Sequence, residues 1–428
     1  MKLTKYKLGD IANVEISGVD KKCIDQEIPV RLCNFVDVYR NWAITSEMAE
    51  GFMEATARQV EISKFTIKKG QVALTKDSET RDDIGISTYI ADDFEDVVLG
   101  YHNALITPNP ELLNGKYLNA LFHTEYAKRY FAFNASGSGQ RYSLSLEALN
   151  SFPVLLPPTL KEQEAIGNIF SHIDRKILLN RSINQNLEAM AKLLYDYWFV
   201  QFDFPDENGK PYKTSGGKMV WNDKLKIMIP EGWDCVNIYQ LANISRESIE
   251  PQIQPNNLFK HYSIPEYDKT GTYSEEYGRD IQSSKFLITK NNVLVSKLNP
   301  WTNRVICGND ESNQICSTEF VVLNPINVNT KGFLFMLAKS NKFIDYCSKG
   351  STGTSHSHRR IDPDLMMKFI FAYNSEKVIR FSMLIKNIIK ELHNNISSLK
   401  RLTKLRNELL PLLMNGQVSV NFDFTRLN

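Results

Sequence analysis

Along "IFSHIDRKILLNRSINQNLEAMAKLLYDYWFVQFDF" (169 to 204), apolar residues recur at steps of three and four, the spacing of one helix face. The stretch is predicted to form a single long amphipathic helix. Positions seven apart are Ile166, Ile173, Asn180, Leu187 and Leu194, and those three further on are Ile169, Lys176, Ile183, Met190 and Tyr197. This is the a/d seam of a coiled coil with two polar members. Phe381, Ile385, Ile388, Leu392, Asn395, Leu399, Leu402 and Leu409 repeat the rhythm, broken by Arg406. The two helices are expected to pair, with Ile173, Asn180, Ile183, Leu187, Met190 and Leu194 on one seam and Ile388, Leu392, Asn395, Leu399 and Leu402 on the other. Asn180 and Asn395 occupy equivalent places, and a seam Asn lowers stability while fixing register and partner number. Pro157 and Pro158 precede the first helix, and Pro411 breaks the second near its end.

Elsewhere the apolar runs shorten to strand length, and they recur in order. "DIANV" (10 to 14) matches "QLANI" (240 to 244), and "FTIKKGQVALTK" (65 to 76) matches "FLITKNNVLVSK" (286 to 297), each read as strand, turn, strand. A small, polar, Gly-rich stretch follows in both halves, "NASGSGQRYSLSLEALNSFPV" (134 to 154) and "KGSTGTSHSHRRIDPDLMMKFIF" (349 to 371). Then come the long helices, and finally "VQFDF" (200 to 204) and "VNFDF" (420 to 424). Five matches at separations of about 214 to 230 point to a duplicated unit. The fold class expected is α+β. Two similar α/β domains, 1–158 and 205–375, are separated by helical regions at 159–204 and 376–428 that pair as an antiparallel coiled coil with a pseudo-twofold repeat. Residues 205 to 232, rich in Gly, Pro, Lys and Asp, read as the linker into the second domain.

Composition narrows the function. In a chain of 428 residues, 51 basic side chains face 49 acidic ones, so any nucleic-acid site must be a local patch. Six scattered cysteines without a C-x-x-C pair argue against a zinc ribbon or a disulfide framework and fit a reducing cytoplasm. The longest apolar runs, such as "FLFMLA" (333 to 338), are too short to span a bilayer, so no membrane association is expected. Catalytic signatures are missing. "SGGK" (215 to 218) has Tyr212 where a P-loop needs glycine and Met219 after its Lys. His356-x-His358 has no carboxylate or Cys at ligand spacing, and "LNPW" (298 to 301) lacks the second Pro of an N-P-P-[YF] corner. No metal, cofactor or catalytic residue is expected in this chain.

The Gly-rich loops remain. Small residues let the backbone approach a surface, and donors able to reach phosphates or base edges follow them: Gln140, Arg141 and Tyr142 in one half, His356, His358, Arg359 and Arg360 in the other. "TKDSETR" (75 to 81) adds Lys76 and Arg81, and "SKLNPWTNR" (296 to 304) adds Lys297, Asn299 and Arg304, with Trp301 between them. These are the candidate DNA-binding residues.

At this point the chain resembles the specificity subunit of a type I restriction-modification system. The resemblance rests on "LPPTLKEQEAIGNIFSHIDRKILLNRSINQNLEAMAKLLYDYWFVQFD" (156 to 203), on "IPEGW" (229 to 233) and on the duplicated order, and spans nearly the whole chain. It implies two target-recognition domains, each reading half of a split site in double-stranded DNA, held apart by antiparallel helices. It also implies a non-catalytic scaffold. Two methyltransferase subunits would use S-adenosylmethionine, and restriction-translocase subunits would use ATP and Mg. The second copy departs from the pattern, since "YNSEKVIRFSMLIKNI" (373 to 388) lacks the "PPTLKEQEAI" opening. About 35 helical residues at about 1.5 Å each make a rod of roughly 50 Å, on the order of 15 base pairs. Residues 376–428 hold nine basic and four acidic side chains against five of each in 159–202, so the second helix is expected to face DNA or an acidic partner more than the first. Two other readings are a coiled-coil adaptor between protein partners without a DNA role, and a self-sufficient nuclease or methyltransferase.

Overall fold

Val72–Thr75 and Val293–Ser296, the strands ending each matched segment, are buried along their whole length, as continuous runs of small and apolar residues must be when covered on both faces. The computed structural model in which they lie describes residues 2–137, 140–353 and 358–420. It divides into two compact units, residues 1–179 with 400–428, and residues 180–399.

In the first unit Val72–Thr75 pairs antiparallel with Asn103–Pro108, whose other neighbour is Ala12–Ile16, and with Ser87–Ile90, beyond which lies Ala43–Ile44. A separate sheet joins Met53–Ala57, Ile28–Cys33 and Val97–Leu99, and Thr4–Lys7 pairs with Pro153–Leu156. The second unit repeats this order. Val293–Ser296 pairs with Phe320–Pro325, whose other neighbour is Ala242–Ser245, and Asp234–Asn237 pairs with Ile370–Tyr373. Helices Gly115–Phe122 and Glu125–Asn134 are matched by Lys331–Ala338 and Asn341–Gly350.

The hairpins expected at 65 to 76 and 286 to 297 are not formed. Lys285–Leu287 joins Ser248–Ile249 and Gln314–Cys316, while Val293–Ser296 joins another sheet, so the turn between them carries the chain from sheet to sheet. In the first unit the earlier strand shrinks to one bridge, Thr66 to Val98. A strand buried on both faces needs neighbours on both edges, which a hairpin partner alone does not supply. The expected linker is also structured: Met219–Asn222 and Ile227–Pro230 form a hairpin closed by Lys226 in a left-handed conformation (φ 55°).

The long helices span Leu160–Tyr195 and Ser375–Met414. Within the first unit Ile166 and Phe170 share a core with Leu410, Leu413 and Met414, and Asp174 lies 4.0 Å from Arg406. Within the second, Asn180 Nδ2 donates to Ser398 Oγ (3.4 Å), and Ala191 and Tyr195 share a core with Ile385, Ile388 and Leu392. Numbers rise along one helix as they fall along the other, so the pairing is antiparallel.

One row of the expected seam sits as placed: Ile173 is buried, and Asn180, Leu187 and Leu194 are half-buried. The other row is one residue out of place. Ile183 and Met190 are each 45% exposed, while Phe170, Ile177 and Ala191 are buried and Asn184 is half-buried. The expected row would have pressed the Lys176 ammonium into the seam; the observed one leaves it in water and buries Ile177. On the second helix Ile388 and Leu392 are buried, and Asn395, Leu399 and Leu402 half-buried. Arg406, which interrupts the apolar rhythm, is the residue facing Asp174.

At the end of the first helix a five-residue π turn, Asp196–Val200, brings Trp198 and Phe199 into the second unit's core. Phe202, with φ 63°, turns the chain so that its ring meets Trp233 5.5 Å away. Asp203 then accepts from the Thr214 amide and hydroxyl at 2.7 and 2.6 Å. The aromatic end is therefore a junction with the second unit, and Trp233 of "IPEGW" belongs to it. Most of its counterpart lies in residues 421–428, outside the described residues. Among the described residues no helix is long and apolar enough to cross a membrane.

Candidate nucleic-acid interface

In the first unit, the strand Val72–Thr75 runs into Asp77–Ser78, which pairs with Tyr142–Ser143, itself paired with Ser136–Gly137. Two stretches more than 50 residues apart thus form one small three-stranded patch. Gly137 is required there, because an added Cβ would lie 2.3 Å from the Arg141 carbonyl. The Arg81 guanidinium stacks 5.2 Å from the Tyr142 ring. Gln140 and Arg141 are exposed, and Arg141 borders an open cleft of about 610 Å³ with Tyr39, Tyr101 and His102.

Lys76 has a different place. Its ammonium contacts both Asp77 oxygens at 2.7 and 2.8 Å, with both side chains largely buried, and His102 Nδ1 shares one of those oxygens. Burial opposes ionisation of Asp77, but the bonds from Lys76, Ser143 and His102 outweigh it and hold the carboxyl below its ordinary range. Lys76 braces the patch from behind.

In the second unit the same two regions meet through the backbone. The Asn299 amide donates to the Arg359 carbonyl (2.7 Å), and the Arg359 amide donates to Asn299 Oδ1 (3.0 Å). The Lys297 amide donates to Glu319, and its carbonyl accepts from Ile361. Arg360 grips Glu319 through Nε and a terminal nitrogen at 2.9 and 3.2 Å, and the Arg359 guanidinium donates to the Ser351 carbonyl. His358 and Arg360 are exposed, Lys297 and Arg359 half-buried. His356 lies in 354–357, outside the described residues.

Arg304 is committed within the unit. Only 9% exposed, it binds Asp268 through Nε at 2.5 Å and a terminal nitrogen at 2.8 Å, and donates to the Leu298 carbonyl. Arg304→Ala is expected to destabilise the second unit by about 2 kcal/mol, since Asp268 is half in solvent, without changing the salt dependence of any DNA binding. Urea unfolding and duplex titrations at several salt concentrations measure the two effects.

In each unit a long helix is also held against a short one, Gly115–Phe122 or Lys331–Ala338, by contacts outside the coiled-coil seam. Thr159 and Glu162 of "PPTLKEQEAI" form a capping box, their side chains bonding one another's amides at 3.1 and 3.2 Å. Gln163, buried, accepts from the Asn114 amide and donates to the Leu112 carbonyl. Gly167 seats against Lys116 and Tyr117, where a Cβ would come within 2.8 Å of the Tyr117 amide. In the second unit the small residue lies on the opposite partner: Gly332 approaches the Ser382 backbone, and Ser382 Oγ accepts from the Phe333 amide at 2.9 Å. The S/T-x-x-E signature was readable in the sequence; Gln163 and Ser382 carried no such signal.

Comparison with known proteins places this architecture. Residues 2–189 match the family model described as type I restriction modification DNA specificity domain. The HindI specificity subunit of Haemophilus influenzae is 23% identical, covering 83% of this chain and 88% of that protein. The MjaIX specificity subunit of Methanocaldococcus jannaschii is 24% identical over 71% and 69%. The chain is thus similar, over most of its length, to specificity subunits of type I restriction enzymes. Its fold is that of the S subunit from M. genitalium, with a TM-score of 0.60 at 13% identity and 96% of each chain covered. The first patch, with Arg81, exposed Gln140 and Arg141, and Tyr142, lies inside the segment that matches the DNA specificity domain.

Proposed function

We propose that this subunit reads a bipartite double-stranded DNA target, one half-site per unit, and scaffolds two methyltransferase subunits and the restriction-translocase subunits in the cytoplasm. Methylation with S-adenosylmethionine and cleavage with ATP and Mg belong to those partners; this chain contributes recognition and no catalytic group. Recognition falls to domains 1–158 and 205–375, and spacing to 159–204 and 376–428. The carrying observation is the repeated convergence: in each unit the loop after the central strand meets the Gly-rich loop, so Arg81, Gln140, Arg141 and Tyr142 gather in one, and Lys297, Asn299, His358, Arg359 and Arg360 in the other. Exposed Ile183, Met190 and Leu193 at helical spacing give a partner helix an apolar face to cover.

With its methyltransferase partners bound, the protein should lose about a thousandfold in duplex affinity between 50 and 200 mM salt if it contacts roughly six phosphates. Mapping adenine methylation in a host with and without the gene should give two half-sites with a fixed gap. Arg141→Ala should relax one half by about tenfold or more, and Arg359→Ala the other. Salt-independent or unselective binding would favour the protein adaptor, and activity of the purified chain alone would favour an enzyme.

A further inference from the structure

Trp301 holds a large apolar ring partly in solvent. It is 45% exposed, whereas Trp42, Trp198 and Trp233 lie in cores, and exposed Trp221 ties its indole N–H to Asp223 at 3.0 Å. An aromatic left partly in water keeps apolar area and a π face available to a binding partner.

The turn that holds it out is braced from several sides. Asn299 and Asn303, at φ 48° and 51°, adopt left-handed conformations that non-glycine residues rarely take, and they flank the single turn Pro300–Thr302. The Thr302 amide and hydroxyl both donate to the Asn299 carbonyl at 3.0 and 2.7 Å, and the Asn303 amide donates to Pro300. Buried Pro300 anchors one side, and the Arg304 to Asp268 pair the other. Asn299 is also bonded to Arg359, so the turn that carries Trp301 is fixed two residues from a clamp onto the donor-bearing loop. Such bracing spares the backbone of the turn an ordering cost on binding.

We propose that Trp301 is an aromatic wedge that packs into one base step of the DNA held by the second unit, partly unstacking it. This rests on the DNA-reading function proposed above. An exposed ring on a braced turn next to the donor-bearing loop suits a kinking contact, and the cost of unstacking depends on the step, so the wedge selects sequence without hydrogen bonds to bases. In the first unit the aromatic on the paired strand, Tyr142, is half-buried and covered by Arg81, so the wedge is assigned to the second unit alone.

The test uses the chain assembled with its methyltransferase subunits and a duplex carrying its methylation motif, with a single mismatch or 2-aminopurine moved along each half-site. The wild type should bind about tenfold tighter when the mismatch falls at one step of one half-site, and 2-aminopurine there should brighten on binding. Trp301→Ala should lose both responses and about tenfold in affinity for the intact duplex at an unchanged salt slope, while Trp301→Phe retains most of them. A Trp301→Ala protein that keeps the wild-type affinity and the 2-aminopurine signal, in a complex that still selects its motif, overturns the wedge alone. A wild type that selects no sequence overturns the DNA-reading function as well.

Discussion

Phe381→Ala is expected to lower the stability of the second unit by about 3–5 kcal/mol, the usual cost of emptying a fully buried phenylalanine site. Phe381 has no exposed surface, and its ring lies 5.1 Å from Phe199, 5.7 Å from Trp198 and 6.1 Å from Tyr195. The cavity would open between the last helix and the aromatic end of the first, where rigid rings collapse poorly into a void. Urea unfolding followed by fluorescence reports it, because Trp198 and Trp233 lie in the same core. Phe133→Ala, at a side chain 86% exposed, should change stability by less than about 0.5 kcal/mol. A change below 1 kcal/mol at Phe381 would contradict the packing described.

Asp77→Ala should be the most damaging polar substitution in the first unit. It would leave the largely buried Lys76 ammonium without its carboxylate and release His102 and Ser143, at a cost of about 3 kcal/mol. Asp77–Ser78 is the strand against which Tyr142–Ser143 pairs, so recognition of one half-site should weaken while the other stays intact. The pH dependence has a definite sign. Because the Asp77 carboxyl is held below its ordinary value, its stabilisation is complete above the unfolded Asp value of about 3.9 and fades as pH falls through the lower folded value. The stability difference between wild type and Asp77→Asn should therefore be constant from neutral pH down to about pH 4 and shrink below it. A difference that grows on acidification would show that the carboxyl is not held in its ionised form.

Much of this architecture was legible because apolar periodicity and repetition are local properties. The row through Ile173 and Leu187 could be read directly. Its companion could not, since Ile169 and Phe170, or Ile183 and Asn184, are neighbours in sequence, and only packing decides which one turns inward. Ala191 and Asn184 carry too little hydrophobicity to announce a seam. The sheet partners of Lys285–Leu287 were hidden for a related reason: the turn after that strand is the same whether the chain folds back on itself or crosses to another sheet. At the patches, sequence placed the donors but not their partners. Arg304 and Lys76 look like Arg360 in a string of letters, yet Asp268, 36 residues away, and the neighbouring Asp77 turn them inward. The function class was legible chiefly through resemblance, since composition alone gave only the need for a local basic site.

The core that joins Leu8 and Ile11 to Leu410, Leu413 and Met414 bears on the order in which the protein is made. The second unit occupies one uninterrupted span, 180 to 399, and can close without residues from outside it. The first unit cannot, because residues made after the whole second unit complete its core, and until they arrive Ile166 and Phe170 lack their cover. A nonsense mutation just after residue 399 would therefore cripple the unit encoded earlier, leaving an intact later unit beside a chaperone client.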